Sequence, residues 1–190
     1  MKVLCLLGSP RPAGNSTQIA RRLCEALERR GASLELHALA DLRFSGCRSL
    51  LHCKTGGERC GLRDDLSPIL ESFYEADVIV LASPIYFTDI TSDLKAVIER
   101  LFSFFVPDYV TNPVKSRLPA GKRLVLVQTQ GEPASEYADL LERYGKSFRM
   151  LGIEDHHLIR ACGVRELGDV ESLVEVWQRV DEVADLLSTG

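Results

Sequence analysis

A run of small and hydroxylated residues near the start of the chain is the part of the sequence whose chemistry is clearest. Residues 8–17 read Gly-Ser-Pro-Arg-Pro-Ala-Gly-Asn-Ser-Thr, between the apolar run 3–7 and a segment whose apolar residues have helical spacing. Free backbone N–H groups at the start of a helix attract anions, most often phosphate. Further donors would come from the side chains of Ser9, Arg11, Ser16 and Thr17. The run therefore predicts a phosphate site, and an ordinary turn with a good helix cap is the alternative.

The spacing within this loop excludes two common nucleotide-binding motifs. It lacks the Gly-x-Gly-x-x-Gly pattern of dinucleotide sites, and no Gly-Lys-Ser/Thr closes it as in nucleoside-triphosphate loops. Hydroxyl and N–H donors without such a lysine suit a single phosphate monoester, which favours a mononucleotide such as FMN. The Cys-x5-Arg loop of small tyrosine phosphatases is a further alternative, because Cys5 and Arg11 match its spacing. Leu6 and Leu7 continue the predicted strand, however, so Cys5 should be buried beneath the loop.

Apolar runs alternate with helical patterns along the whole chain. Strands are predicted near residues 2–7, 33–39, 77–82, 122–129 and 157–162. Helices are predicted near residues 15–30, 64–75, 91–105, 134–151 and 169–188. Continuous apolar runs such as 78–82 are typical of strands that are covered on both faces. The five β-α repeats predict one domain over residues 1–190, an α/β sandwich of three layers around a five-stranded parallel sheet.

Three loops should meet at one edge of this sheet. Ligands bind beyond the carboxyl ends of parallel strands, at the point where the strand order reverses. Residues 8–16, 83–92 and 129–134 follow three predicted strands and would converge there. The second loop carries Tyr86 and Phe87, although a loop is usually polar. An apolar shelf next to a phosphate site suits a planar ring with a phosphorylated tail, and sealing of the core edge is the alternative.

Three motifs of this chain occur together at distinctive spacings. They are the loop Gly8-Ser9-Pro10-Arg11 with Gly14-Asn15-Ser16, the run Ser83-Pro84-Ile85-Tyr86-Phe87, and the helical segment Ser92–Arg100. Together they resemble the NADPH-dependent FMN reductase family, in particular its flavodoxin-like NAD(P)H oxidoreductase and iron–sulfur-flavoprotein branch. The resemblance covers nearly the whole chain and implies a flavodoxin-like fold with strand order 2-1-3-4-5.

The same resemblance implies a set of cofactor-binding residues. The FMN phosphate would bind at Ser9, Arg11, Asn15, Ser16 and Thr17. The isoalloxazine ring would lie against Pro84, Ile85, Tyr86 and Phe87. The residues near its pyrimidine edge would be Thr129, Gln130 and Gly131.

The resemblance further implies an enzyme, an FMN-dependent NAD(P)H oxidoreductase. Electrons would pass from NADPH or NADH through bound FMN to a small acceptor such as a quinone. The cofactor supplies the reactive atoms of such a reaction, so no catalytic side chain is predicted. A flavodoxin-type electron carrier without nicotinamide oxidation is the alternative, and an iron–sulfur flavoprotein is a third reading. Neighbouring subunits complete the flavin pocket in this family, which implies a homodimer or homotetramer.

An aromatic-rich stretch in the middle of the chain supports the same oligomeric expectation. Residues 101–110 carry more aromatic side chains than one helix face can bury, and Phe104 lies off the apolar stripe of its helix. An exposed aromatic patch usually marks a contact surface. The alternative is that the stretch after Phe104 folds back and covers it.

Three of the six cysteines lie in one segment, near residues 44–63. They are Cys47, Cys53 and Cys60. By resemblance, iron–sulfur members of the family bind a cluster with four closely spaced cysteines. Leu50 stands where a further cysteine is expected, so we predict no metal and a cluster-free loop beside the flavin. A zinc site that includes His52 is the alternative. Asp64 and Asp65, which follow the segment, are predicted to cap the next helix.

Composition bounds the remaining possibilities. A chain of 190 residues can bury the core of one ordinary domain, and 26% of charged residues is typical of a globular protein. A net charge of −4 disfavours nucleic acid as a partner, because phosphate contacts need a basic face. No apolar run is long enough to span a membrane, and the first strand begins directly after Met1. We expect a cytoplasmic protein whose cysteines are reduced.

Overall fold

A parallel sheet of five strands runs through the computed structural model, which describes residues 1–189. In chain order the strands are β1 (Lys2–Leu7), β2 (Ser33–Ala38), β3 (Val78–Tyr86), β4 (Asp89–Ile90), β5 (Arg123–Gln130) and β6 (Asp155–Cys162). The five parallel strands lie in the order β2-β1-β3-β5-β6, and the short β4 pairs antiparallel with the end of β3. With β4 set aside, this is the predicted order 2-1-3-4-5.

Helices cover both faces of the sheet. In chain order they are α1 (Asn15–Glu28), α2 (His52–Thr55), α3 (Leu66–Glu75), α4 (Ser92–Arg100), α5 (Leu140–Met150) and α6 (Val174–Ser188). Helices α1 and α6 pack on one face, and α3, α4 and α5 pack on the other, which gives three layers. Within residues 1–189, none of the helices has the length and apolar character needed to cross a membrane.

Alternation of side chains along β1 divides the core between the two outer layers. Val3, Cys5 and Leu7 belong to the core on the side of α1 and α6. Leu4 and Leu6 belong to the core on the side of α3, α4 and α5. Successive side chains of a strand point to opposite faces, so a strand covered on both sides must be apolar throughout. This explains the continuous apolar runs in the sequence.

Strand β3 runs to Tyr86, past its predicted end at residue 82. Ser83 and Pro84 continue the pairing with β5, opposite Gln128 and Thr129. The last two residues of β3 then pair with the two residues of β4. The segment 83–92, which was expected to be a loop, is therefore largely a tight hairpin. The prediction of the strand end was wrong because the apolar run stops before the pairing does.

Helix α5 begins at Leu140, whereas the sequence pattern predicts a start near residue 134. Side chains of sheet residues donate hydrogen bonds to the carbonyl groups that a longer helix would use for its own backbone hydrogen bonds. The Gln130 amide donates to the carbonyl oxygens of Pro133 at 2.9 Å and Glu136 at 3.0 Å. The Arg160 guanidinium donates to the carbonyl oxygen of Ala134 at 2.9 Å. These hydrogen bonds, of which only the one from Arg160 joins residues distant in sequence, hold the segment in an irregular loop that periodicity does not reveal.

The expectation of an exposed aromatic patch around Phe104 is wrong. Phe104 is buried, with its ring centroid 5.6 Å from that of Phe73 and 5.2 Å from that of Tyr74. The chain after it folds back, and the backbone N–H of Arg117 donates to the Phe104 carbonyl at 2.8 Å. The predicted homodimer therefore loses this support from the sequence and stays a prediction.

A buried ion pair fixes the cysteine-containing segment to α4. Arg100 is fully buried, and its guanidinium donates to the two carboxylate oxygens of Asp64 at 2.8 and 3.3 Å. The same guanidinium donates to the Ser45 carbonyl at 3.0 Å. Asp64 also accepts the N–H of Leu66, at the start of α3, at 3.2 Å. Asp64 thus accepts the first N–H of α3, whereas the residue at the N-cap position, Asp65, makes no capping hydrogen bond with its side chain, and the sequence did not indicate the ion pair.

This pair should make stability sensitive to acid. Burial raises the pKa of Asp64, but hydrogen bonds and charge from Arg100 outweigh burial and hold it below its ordinary value of 3.8. A lowered pKa gives stability that is complete above the unfolded value and is lost as the pH falls through the folded value. We expect the free energy of unfolding, measured in urea, to fall below about pH 4, and Asp64→Asn to flatten that part of the profile. An unchanged profile in Asp64→Asn would show that other carboxylates cause the acid loss.

Candidate functional site

A cleft of about 260 Å³ opens at the carboxyl ends of the parallel strands. It lies where the strand order reverses between β1 and β3, the position at which open α/β sheets bind ligands. Its lining residues are Ser9, Arg11, Gly14, Asn15, Ser16, Pro84, Ile85, Tyr86, Thr129, Gln130, Gly131, Glu132, Val164, Arg165 and Leu167. The three loops that were expected to converge do so.

Ten of the twelve predicted cofactor residues line this cleft. They are Ser9, Arg11, Asn15, Ser16, Pro84, Ile85, Tyr86, Thr129, Gln130 and Gly131. The other two lie outside the lining: Thr17 is buried within α1, and Phe87 is fully exposed at the tip of the hairpin. For those two residues, a direct contact with the cofactor stays a prediction without support from the cleft geometry.

The loop after β1 is shaped by two close approaches that only glycine permits. A Cβ atom at Gly8 would lie 2.9 Å from the carbonyl oxygen of Ala82. A Cβ atom at Gly14 would lie 2.6 Å from the Ser9 hydroxyl, which accepts the N–H of Arg11 at 3.1 Å. Both distances are shorter than real side chains tolerate, so larger residues would displace the loop. The glycines therefore let the loop turn tightly into the N-terminal end of α1.

The hydroxyl of Ser16 is the one polar side-chain atom of this cleft that is buried without a hydrogen-bond partner among residues 1–189. Ser16 is 1% exposed and lies in the first turn of α1. Buried hydroxyls are nearly always paired, and an unpaired one costs free energy unless a ligand or water completes it. An acceptor such as a phosphate oxygen would do so, and the helix dipole favours a negative charge at the same place.

The amide of Asn15 is engaged with a loop at the other end of the sequence. It donates to the carbonyl oxygen of Glu166 at 2.9 Å and accepts the N–H of Val170 at 3.3 Å. These bonds attach the segment after β6 to the start of α1. Any direct role of the Asn15 amide toward phosphate stays a prediction, while its role in building the cleft is visible.

Sequence reasoning missed the fourth wall of the cleft, residues 163–168. This loop contributes Val164, Arg165 and Leu167, and Gly163 and Gly168 at its ends have φ of 73° and 87°. Two glycines that frame a run of four residues directly after the last strand were the available signal. The Arg165 guanidinium donates to the carbonyl of Gly131 at 3.3 Å and adds a second cation beside Arg11.

The charges of the cleft favour an anionic ligand. Arg11 and Arg165 are cationic, and Glu132 is the single carboxylate in the lining, 4.0 Å from Arg165. One positive charge is left over, next to the N-terminus of α1. The side chain of Gln130 is not free for a ligand, because its oxygen accepts from Gln128 and its nitrogen donates to the 133–136 loop.

The phosphatase alternative does not fit the structure. Cys5 lies in the middle of β1 and is 1% exposed, below the loop rather than in the cleft. A hydrogen bond with Cys24 and burial both raise the pKa of the Cys5 thiol well above its ordinary value. A nucleophilic cysteine needs the opposite, an accessible thiolate. Cys5 is therefore a core residue.

The cysteine-containing segment does not provide the ligands of a four-iron cluster. Its three thiols line a small apolar pocket of about 30 Å³ together with Leu50, and Cys53 is buried while Cys47 is exposed. A cluster needs four thiolate ligands, and Leu50 offers none. Within residues 1–189, no three His, Cys, Asp or Glu side chains are arranged to hold a metal ion, so the zinc alternative with His52 has no support either.

Protein contacts hold this segment in place instead. The Lys54 ammonium donates to the carbonyl oxygens of Phe102 at 2.8 Å and Phe105 at 2.7 Å. The Arg117 guanidinium donates to the Cys53 carbonyl at 3.1 Å. Together with the Arg100 pair, these bonds join the segment to the chain that follows α4.

A three-layer α/β sandwich with strand order 2-1-3-4-5, a phosphate-type loop after β1 and a cleft at the switch point defines a flavodoxin-like protein. The model of the NADPH-dependent FMN reductase family matches residues 1–164, and the chain belongs to that family. The resemblance found in the sequence is thus confirmed.

Solved structures have the same fold. An FMN-dependent NADH-azoreductase from Bacillus anthracis, solved in complex with FMN, superposes with a TM-score of 0.77 at 23% sequence identity. The superposition covers 99% of this chain and 100% of the azoreductase chain. An NAD(P)H:quinone oxidoreductase from Methanothermobacter marburgensis has a TM-score of 0.71 at 16% identity, over 98% and 96% of the two chains. At these identities the likeness shows the fold alone, and it confirms the predicted flavodoxin-like class.

Curated relatives match part of the chain. An iron–sulfur flavoprotein of Methanocaldococcus jannaschii is 39% identical over 100 residues, which are 53% of this chain and 51% of the relative. An FMN-dependent NADH:quinone oxidoreductase of Xanthomonas oryzae is 34% identical over 100 residues, 50% of each chain. The chain therefore spans about half the length of the curated relatives that it matches.

Proposed function

We propose that the protein binds one FMN noncovalently in the cleft and catalyses the reduction of a small electron acceptor by NAD(P)H. The observation that carries this proposal is the Ser16 hydroxyl, buried without a partner in the same cleft as Ser9 and Arg11. A phosphate monoester would supply the missing acceptor. The family of the chain and the names of its relatives, which include an FMN-dependent NADH:quinone oxidoreductase, support the same cofactor and acceptor class.

The residues of the chain bind and orient rather than react. The donors of the loop 9–16 would hold the phosphate, and Pro84, Ile85 and Tyr86 would form a flat wall along the flavin ring. The chemistry that bound FMN supplies is the transfer of two electrons from reduced nicotinamide to the acceptor. The Glu132 carboxylate lies 4.0 Å from the Arg165 guanidinium in the lining. We give it no acid or base role, because the proposed electron transfer needs none from a side chain.

An absorbance spectrum followed by an anaerobic titration tests this function. We expect yellow protein that releases FMN on heating, and a flavin band that bleaches when NADPH or NADH is added without oxygen. Steady-state rates with a quinone should give parallel double-reciprocal lines, because both substrates would use one face of the flavin in turn. Colourless protein that takes up no added FMN would refute the cofactor, and bound flavin that stays oxidised would indicate an electron carrier.

The remaining proposals concern the acceptor, the oligomeric state, the location and the partners of the protein. A quinone is the acceptor to assay first, since it takes two electrons directly, and an azo compound is the next. The homodimer or homotetramer, the cytoplasmic location and the lack of a nucleic-acid partner rest on the sequence and the family, and they stay predictions.

A further inference from the structure

We propose that the hairpin turn Tyr86–Asp89 is a preorganised platform on which Phe87 stacks a planar aromatic electron acceptor. This inference rests on the proposed function and adds to it a residue that would select the acceptor. It assigns Phe87 to the second substrate, whereas the family resemblance implies a contact of this residue with the flavin.

The first observation is the position of Phe87. Its side chain is 101% exposed, more than any other large apolar side chain among residues 1–189. Tyr86, directly before it, is 44% exposed and lines the cleft. Phe87 is therefore fully open to solvent, and it directly follows a residue that lines the proposed flavin site. Scattered exposed apolar residues are common on protein surfaces, so exposure alone is weak evidence for a functional role.

The second observation is the backbone of the turn. Phe87 and Thr88 have φ of 44° and 75°, as in a two-residue hairpin turn of type I′. Such turns favour Asn-Gly or Gly-Gly, because most other residues are strained at positive φ. Threonine is β-branched and among the least suited residues for this region. Strain of this kind persists only where the surroundings hold it, and it concentrates at functional sites.

The third observation is the set of bonds that holds the strained turn. The Asp89 carboxylate accepts the Tyr144 hydroxyl at 2.9 Å, the Arg143 guanidinium at 3.2 Å and the N–H of Ile90 at 2.7 Å. At the base of the hairpin, the buried Ser83 hydroxyl accepts the N–H of Thr91 at 3.0 Å. The turn is thus attached to α5 on one side and to the start of α4 on the other.

The protonation of Tyr144 keeps this attachment intact. Burial and the hydrogen bond to Asp89 raise the pKa of Tyr144 well above its ordinary value. The hydroxyl therefore remains a donor to Asp89 throughout the neutral range. Asp89 and Tyr144 act as positioning residues, and Phe87 is the residue that would contact the acceptor.

The chemistry of this surface points to one class of ligand. Phe87 offers a ring face with no charge and no hydrogen-bonding group, and the preceding residue, Tyr86, is a second aromatic that lines the cleft. Aromatic rings gain from offset or edge-to-face contact with other rings, beyond the area that they bury. A quinone of two fused rings fits this surface, whereas ferricyanide, a charged inorganic acceptor without a ring, does not.

Steady-state kinetics with these two acceptors test the platform. For Phe87→Ala we expect the KM for a naphthoquinone to rise about tenfold relative to the KM for ferricyanide, the scale of one lost aromatic contact. Phe87→Trp should keep the wild-type ratio. Val110→Ala is the matched control, because Val110 is an exposed apolar residue outside the cleft lining, and it should leave the ratio unchanged.

Two further variants test the preorganisation. Thr88→Gly should relieve the strain, so we expect the thermal midpoint to stay the same or rise while the naphthoquinone KM rises about threefold. Asp89→Asn should raise the same KM. Glu142→Gln removes a different ion pair of α5, that with Arg149 at 2.7 Å, and should not change the KM.

Several results would overturn the platform. The first is an unchanged ratio of the naphthoquinone KM to the ferricyanide KM in Phe87→Ala. The second is a loss of FMN affinity in that variant, and the third is a change in the mass of its assembly measured by light scattering. The last would show that Phe87 contacts another subunit. Wild-type turnover of ferricyanide with NAD(P)H reports on the proposed function separately, so failure of the platform and failure of the function are distinguishable.

Discussion

Replacing Arg100 with alanine should lower the free energy of unfolding by about 3–5 kcal/mol, the loss typical of a buried ion pair that is deprived of one partner. The Arg100 side chain has no exposed surface, and that of Asp64 is 16% exposed. The variant would leave a largely buried carboxylate whose main donor is gone, and the Ser45 carbonyl would lose the same donor. Because domains of this kind are stable by only about 5–15 kcal/mol, the loss is a large share of the total.

Urea unfolding followed by the fluorescence of the single tryptophan, Trp177, measures this change. Arg149→Ala is the matched control, because the Arg149–Glu142 distance of 2.7 Å is close to the 2.8 Å of the Arg100–Asp64 pair, but the side chains of Arg149 and Glu142 are 37% and 65% exposed. An exposed pair of this kind contributes about 0–1 kcal/mol. Equal losses in the two variants would contradict the role given to burial. Replacing both Arg100 and Asp64 with apolar residues should recover part of the loss, since no charge is then left buried.

Much of the fold could be predicted because its main determinants are local. The apolar runs of β1 and β5 are long, continuous and flanked by loop residues, and their burial on both faces requires a covered parallel sheet. The helical stripes of α1 and α6 then indicate which elements cover it. Errors arose where contacts distant in sequence decide a boundary. The start of α5 depends in part on Arg160, which bonds the carbonyl group of Ala134, 26 residues earlier in the chain.

The same distinction applies to the candidate site. The loop after β1 and the aromatic segment at Tyr86 could be predicted as walls of the cleft because each contains its own signal, a glycine-rich run or aromatic residues after a strand, although the hairpin form of the second was not predicted. The wall at residues 163–168 could not, because its place depends on the bond between Asn15 and Glu166, which are 151 residues apart. The burial of Phe104 likewise depends on a segment that returns over it from Arg117. Periodicity describes each element, and it leaves the contacts between distant elements open.

Replacing Ser16 with alanine should change stability and cofactor affinity in different directions. In the protein without ligand, the Ser16 hydroxyl is buried and unpaired, so its removal should leave the free energy of unfolding unchanged or raise it by up to about 1 kcal/mol. In the complex with FMN, the same hydroxyl would donate to a charged phosphate oxygen. A hydrogen bond to a charged group contributes about 1.5–3 kcal/mol, so the Kd for FMN should rise about 10- to 150-fold.

Ser103→Ala separates this effect from the loss of any buried serine. Ser103 is also buried, but its hydroxyl donates to the Arg100 carbonyl at 2.9 Å, and it lies outside the cleft. That variant should lose about 1 kcal/mol of stability and keep its affinity for FMN. Urea unfolding of the FMN-free protein and fluorescence titration with FMN give the two quantities. If Ser16→Ala is destabilised like Ser103→Ala and binds FMN as tightly as the wild type, the phosphate does not sit at the start of α1. Because stability and affinity are expected to move oppositely at Ser16 and not at Ser103, a general loosening of the fold cannot imitate the predicted result.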